Sequence, residues 1–312
     1  MFVVGIDENG LAPRLGPLIV TGTCFEISEE AYSSRKMQNL MNKRFKVTDS
    51  KSVMGYNRMS KAEGAVLAHI GVFLEKSPEN FNRLIKELSF ESLKNLRSLC
   101  PKDCSSQMCW EPDFSLPYWS EAEDINSESR KLKKLLDSRS FNIREVKSVI
   151  ICTRRFNEML SGSFRTKLDL VLYSFERLII YFYEKYGPDV LYLCDRVGYI
   201  KKYLDSFRIL KRFPLERKKE SEKSVYDFKF LGKVEFSTGA DKTHSPVALS
   251  SMIGKYIREV FIERSNQFFS SRLEDFEPVS GYNDKKTKEF ISKNINQLNK
   301  LDIDESCFLR SR

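Results

Sequence analysis

An α/β fold, with a central mixed sheet flanked by helices, an inserted segment and a helical C-terminal part, is what the 312-residue sequence predicts. Three observations carry this reading. Strand-like and helix-like segments alternate along most of the chain, the alternation fails between residues 79 and 147, and separate strand-like runs end on carboxylates.

The first element is residues 2–7, where Phe2-Val3-Val4-Gly5-Ile6 runs into Asp7 and Glu8 and then into the turn signal Asn9-Gly10. Neighbouring strand residues point to opposite faces, so both acids serve one site only if the strand bends or ends there. Standing alone, the segment reads as a surface turn with two solvated acids. Residues 17–27 complete a strand pair, and Met59, Ala62, Val66, Ile70 and Phe73 give residues 59–76 a helical apolar spacing. Residues 79–147 are charged, contain Ser and Pro, and hold both tryptophans, Trp110 and Trp119; they read as an insertion, helical at 81–99 and looser after it. An apolar strand at 148–153, an amphipathic helix at 165–186 and a buried strand at 189–195 ending on Asp195 follow. The run from Lys211 to Lys223 reads as a solvated basic loop that could touch a nucleic-acid backbone, residues 233–240 as a strand leading to Asp241, and residues 245–264 as a helix. The expected organisation is a core in two parts, 1–78 and 148–264, separated by the insertion and followed by an extension at 265–312.

A hydrophobic content of 41% is enough for a full core, which excludes a disordered chain. Lys and Arg number 52 against 43 Asp and Glu, and the net charge of +9 suits a polyanionic partner such as nucleic acid. No apolar run approaches the roughly 18 residues of a membrane span, and no signal-peptide order is present, so the expectation is a cytoplasmic protein. Of seven cysteines, Cys24, Cys152 and Cys194 lie in strand-like runs as small hydrophobes. Cys100, Cys104 and Cys109 could bind zinc, but the spacing is not that of a knuckle and the chain's two histidines, His69 and His244, are distant; a loop with incidental cysteines is the preferred reading.

Carboxylates delivered by three strands, Asp7 with Glu8, Asp195 and Asp241, can converge where strand ends meet a break in an open sheet. Such acids repel one another, and hard divalent ions with oxygen ligands relieve the repulsion. Two Mg²⁺ or Mn²⁺ ions about 4 Å apart are the arrangement that drives in-line displacement at phosphorus. Unrelated surface acids remain the alternative on spacing alone.

The opening GIDENGLAPRLGPLIVTG resembles the first motif of the type 2 ribonucleases H, the ribonuclease HII family, with Asp7, Glu8, Gly10, Pro13, Gly16 and Pro17 in correspondence. Thr48-Asp49-Ser50-Lys51 resembles the family's D-S-K segment, CDRVG at 194–198 stands at its third acid, DKTHSPVALSSMIGK at 241–255 resembles its fourth-acid motif, and SGYNDKKT at 280–287 resembles the archaeal-type tail. The resemblance covers the chain outside the insertion. It implies a ribonuclease H-like fold and metal-dependent cleavage of RNA in RNA/DNA hybrids, or of a ribonucleotide within duplex DNA. By the same resemblance Asp7, Glu8, Asp195 and Asp241 are the catalytic metal-binding acids, and Asn9, Gly10, Leu11, Lys51, Arg196, Tyr282 and Lys255 meet the substrate, Tyr282 by packing on the sugar or base beside the cut. His244 is a candidate proton shuttle, with helix capping as its alternative.

The departures concern recognition. Gly10-Leu11-Ala12 stands where the family has G-R-G, which removes a phosphate-binding Arg and adds a Cβ where the backbone approaches the sugar. The Asp195-Arg196-Val197-Gly198 order moves a glycine and could bring Arg196 beside the metals as a replacement cation. A monomeric endonuclease is the expectation. A nucleic-acid-binding module that cuts poorly, and a structure-specific DNA nuclease of the same fold, are the alternatives. Four retained acids favour an enzyme, because a pure binder gains nothing from an anionic cluster facing phosphates.

Overall fold

The computed structural model describes residues 1–29, 59–98, 100, 108–110, 114–138 and 141–311. Strands β1 (Phe2–Asn9) and β2 (Leu18–Ile27) are followed by helices α1 (Met59–Leu74), α2 (Phe81–Leu88), α3 (Leu93–Arg97) and α4 (Ala122–Asp137). Next come β3 (Phe141–Ile151), α5 (Thr153–Gly162), α6 (Lys167–Tyr186), β4 (Val190–Asp195), β5 (Leu215–Glu220), β6 (Lys223–Phe228) and β7 (Gly232–Ser237). The short α7 (Ala240–Thr243) precedes the long α8 (Ser245–Ser270), then α9 (Lys285–Asn294) and α10 (Glu305–Phe308).

The strands form one mixed sheet in the order β3-β2-β1-β4-β7-β6-β5. The pairs at either end are antiparallel, while β1, β4 and β7 run parallel through the centre. Alternation along β1 divides the core. Val3 joins a cluster with α1, α2, α4 and α8, whereas Val4 and Ile6 join another with α6 and β4. A third cluster, around Phe268, Phe269, Phe290 and Phe308, seats the C-terminal helices on the end of α8.

The α/β reading and its main elements are present in the structure, with four local corrections. β1 does not end at Asp7 but pairs with β2 as far as Asn9. The helix expected over 81–99 is two helices, because Phe90 breaks out to donate its amide to the Ser148 carbonyl at 2.8 Å, and Asn80 and Ser92 each cap a new start. The looser part of the expected insertion contains α4, whose sparse apolar residues Ile125, Leu132 and Leu136 face the first core cluster, and β3 begins at Phe141 rather than at 148. The basic run is not a loop but a hairpin, β5 with β6, at the far edge of the sheet. Both strands that were misread, β3 and β5, are edge strands; β5 keeps its charged side chains in water and so lacks the apolar signature of a strand, whereas the charged start of β3 buries Glu145 in a pair with Lys185 that the sequence does not announce.

α8 lies against β1 and β2 because small residues let it. A Cβ on Gly5 would overlap the Pro246–Val247 backbone, and one on Gly254 would stand 2.7 Å from the Asn9 amide nitrogen. Ser250 Oγ donates to the Gly5 carbonyl at 2.8 Å, and Thr23 Oγ1 donates to the Pro246 carbonyl at 2.8 Å. Ser250 and Gly254 thus permit the close approach of α8 to the sheet.

Candidate active site

The parallel register of β1 and β4 places Ile6 opposite Cys194, so the next residues along, Asp7 and Asp195, are neighbours at the carboxyl ends of adjacent strands. Both occupy positions on the α8 face, since Val3 and Leu193, of the same parity, lie in that cluster. Asp7 is only 6% exposed. Burial raises its pKa well above the ordinary carboxylate value; a hydrogen bond from the Ser251 hydroxyl opposes this, and the charges of Asp195 and Glu8 add to it. Asp195 is raised too, first by burial and then by Asp241, against the hydrogen bond that its Oδ1 accepts from the Ala240 amide at 2.8 Å. That bond ties the start of α7, and with it Asp241, to the end of β4.

Asp195 is thus within electrostatic reach of both Asp7 and Asp241. Glu8 alternates to the other side of β1, yet stays close enough for its charge to act on Asp7, Arg310 and Tyr282. Among the described residues no three carboxylate, imidazole or thiol groups stand close enough as they are to enclose an ion. The donor set fits a hard divalent cation in kind: carboxylate oxygens, one of them buried among like charges that a cation would offset.

Around these acids, Asn9 donates from Nδ2 to the Ser251 carbonyl at 3.2 Å, which fixes the end of β1 to α8. Gly10 has a φ of +94°, and its carbonyl accepts from Arg310 Nη1. Leu11 packs against the second core cluster. Tyr282 is 37% exposed, with the fully buried Arg258 guanidinium 4.2 Å from its ring centroid. Lys255 and Tyr282 line one groove of about 940 Å³. Arg196 does not turn to the acids: Nε donates to the Ile200 carbonyl at 3.2 Å and Nη1 to Thr238 Oγ1 at 3.0 Å, and it lines a separate groove with Lys201, Lys202 and Lys223. His244 caps α8 without a side-chain cap bond. Its pKa is lowered by burial and then by Lys223, with Glu235 opposing. Lys51, with the rest of the Thr48–Lys51 segment, lies outside the described residues, as does Cys104. Cys109 is near enough to Cys152, Cys307 and Cys100 for their charges to raise its pKa beyond the effect of burial.

Two contributors escaped the sequence reading. Arg258 and Arg310 are fully buried cations that hold the ring of Tyr282 and the loop after β1, and a lone Arg in an apolar helix or near a chain end gives little local signal. The apolar residues around Arg258 were the available hint that its partners are tertiary.

No family model matches the chain, and no curated protein matches it in sequence. Among solved structures, the chain is similar to the complex of PCNA with RNase HII from Archaeoglobus fulgidus, with 18% identity, a TM-score of 0.50, and coverage of 100% of this chain and 95% of that one. It also matches ribonuclease H2 from Pyrococcus horikoshii OT3 at 16% identity and a TM-score of 0.49, covering 96% of this chain and 89% of that one. A third match is Bst-RNase HIII in complex with Mn²⁺, at 13% identity and a TM-score of 0.49, covering 99% of this chain and 66% of that one. The chain has the fold of the type 2 ribonucleases H.

Proposed function

We propose that this protein, built on the ribonuclease HII fold, is a divergent type 2 ribonuclease H: a metal-dependent endonuclease that cuts the RNA strand of RNA/DNA hybrids or a ribonucleotide within duplex DNA. The products would be a 5′-phosphate and a 3′-hydroxyl. The observation that carries the reading is the parallel register that sets Asp7 beside Asp195 at the strand ends, with Asp241 acting on Asp195. Asp7, Glu8, Asp195 and Asp241 would hold two Mg²⁺ or Mn²⁺ ions, which when bound would activate water and stabilise the leaving oxygen.

The chain's own residues prepare the rest. The Ser251 hydroxyl and the Ala240 amide orient the Asp7 and Asp195 carboxylates, so that little reorganisation is needed when charge develops. Arg258 steadies the exposed ring of Tyr282 for packing on a sugar or base, and Lys255, in the same groove, is set to meet a phosphate. Gly10 and Leu11 would border the ribonucleotide; with Leu11 turned to the core, the loop meets the sugar through its backbone. His244 would carry a proton only by reaching past the Lys223 and Glu235 charges that surround it. Arg196 would contact the strand outside the metal centre, from the groove it shares with Lys201 and Lys202.

The test is cleavage of labelled duplexes with Mg²⁺ or Mn²⁺: an RNA/DNA hybrid, DNA with one embedded ribonucleotide, and plain DNA, with Asp7→Asn beside the wild type. Cutting of a ribonucleotide-containing strand that Asp7→Asn abolishes is the expected result. Cutting of plain DNA alone would assign a DNA nuclease instead, and binding without cutting under either metal would leave a binding module.

A further inference from the structure

We infer that Arg310 and Lys167, with the charge of Arg14 acting on Lys167, form a binding subsite for a backbone phosphate of the nucleic-acid substrate, beside the loop of residues 10–16; this rests on the nuclease reading above. A groove of about 960 Å³ runs between the start of α6 and the C-terminal tail, with Arg165, Lys167 and Arg310 among its lining residues. Arg310 is 1% exposed. Its Nε donates to the Gly16 carbonyl at 2.7 Å and Nη1 to the Gly10 carbonyl, while Nη2 is buried without a hydrogen-bond partner among the described residues. The Arg310 amide donates to the Arg14 carbonyl at 3.0 Å, and Arg14 Nε is likewise buried without a hydrogen-bond partner among the described residues.

Lys167 and Arg310 share one apolar platform. The Phe156 ring centroid lies 5.7 Å from Lys167 Nζ and 4.8 Å from Arg310 Cζ. The Lys167 pKa is lowered, first by burial and then by the charges of Arg310 and Arg14. Cations crowded in this way, with guanidinium donors to spare, are stabilised by an anion that accepts those hydrogen bonds. Of the acids nearby, Glu158 accepts from Arg154 Nε at 2.8 Å, Asp169 is engaged with the Thr166 amide at 3.0 Å in the helix cap, Glu305 also lines the groove, and the charge of Glu8 acts on Arg310. The 20-residue α6 also directs the positive end of its dipole here. A phosphodiester meets these demands with acceptor oxygens and a single charge. The same Arg310 that bonds the loop after β1 lines the groove, so a strand passing the acids would be gripped a few residues from them.

The experiment measures duplex binding by fluorescence anisotropy with a labelled RNA/DNA hybrid in metal-free buffer across a salt series, for the wild type, Lys167→Gln and Arg165→Gln. Lys133→Gln, on the exposed side of α4 and the opposite face of the sheet, is the control. Loss of one phosphate contact lowers the slope of log affinity against log salt by about 0.7 to 0.9. The expected result is that loss in Lys167→Gln, with affinity several-fold weaker at low salt, and no change in Lys133→Gln; circular dichroism confirms that each variant is folded. A slope unchanged in Lys167→Gln, whatever Arg165→Gln does, or the same change in Lys133→Gln, overturns the subsite, as does a wild type that binds no duplex. A wild type that binds with this slope but cuts nothing in metal removes the nuclease reading and leaves the subsite standing; one that cuts while Lys167→Gln binds normally does the reverse.

Discussion

Gly5 lies directly beneath the Pro246–Val247 peptide, so close that a methyl group on it would overlap that backbone. This contact fixes how α8 crosses β1, and therefore where Ser251 meets Asp7 two residues further along the strand.

Gly5→Ala must push α8 away from the sheet, since the obstacle is backbone and cannot rotate aside. The expected cost is about 3 kcal/mol or more, at the upper end of overpacking effects. Urea unfolding measures it; a midpoint equal to that of the wild type would mean the close crossing is not real.

The raised pKa of Asp7 makes stability depend on pH with a definite sign. A carboxyl whose folded pKa lies above its unfolded one favours folding when protonated, so its contribution is present at low pH and is lost as pH rises through the folded value. Without metal, Asp7→Asn should melt at a higher temperature than the wild type above that value, and the gap should close on acidification towards the unfolded pKa. Mg²⁺ should raise the wild type's melting temperature at neutral pH and leave Asp7→Asn nearly unmoved. A gap independent of pH would contradict the burial of this acid.

Glu63 is fully buried on α1 and accepts from the Tyr118 and Trp119 amides and the Tyr256 hydroxyl. Glu63→Ala strands three donors that join the 79–147 segment to α8, and should cost about 3 to 5 kcal/mol. Calorimetric melting checks this, and a loss below 1 kcal/mol would show that the segment is held by apolar packing alone.

Asn157 receives the C-terminal tail: Nδ2 donates to the Ser306 and Leu309 carbonyls at 3.1 and 2.9 Å, and Oδ1 accepts from the Ser311 amide at 2.7 Å. Asn157→Ala should release the tail, which carboxypeptidase digestion followed by mass spectrometry would show as faster loss of the last residues. Equal digestion rates would mean that Arg310 alone anchors the tail.

How much was legible depended on how local each cause is. The strands that carry Asp7 and Asp195, and the helices expected over 165–186 and 245–264, could be read because propensity, apolar period and caps act over a few residues, although α8 runs on to Ser270; Thr166 and Asp169 form a capping box at the start of α6. β5 was missed because a strand at the edge of a sheet can be charged along its whole length, and Leu215–Glu220 is exposed at its four central positions. The break between α2 and α3 was missed because its cause is Ser148, on a strand about 60 residues away.

The sequence by itself determined which strands deliver carboxylates, because that is a property of residue type and short-range backbone preference. Tertiary structure alone decided that Asp7 and Asp195 share a face, since that follows from the register between two strands far apart in the chain. It alone brought Arg310 to the Gly10 carbonyl, 300 residues away, because a buried cation is placed by whichever distant groups can accept its hydrogen bonds.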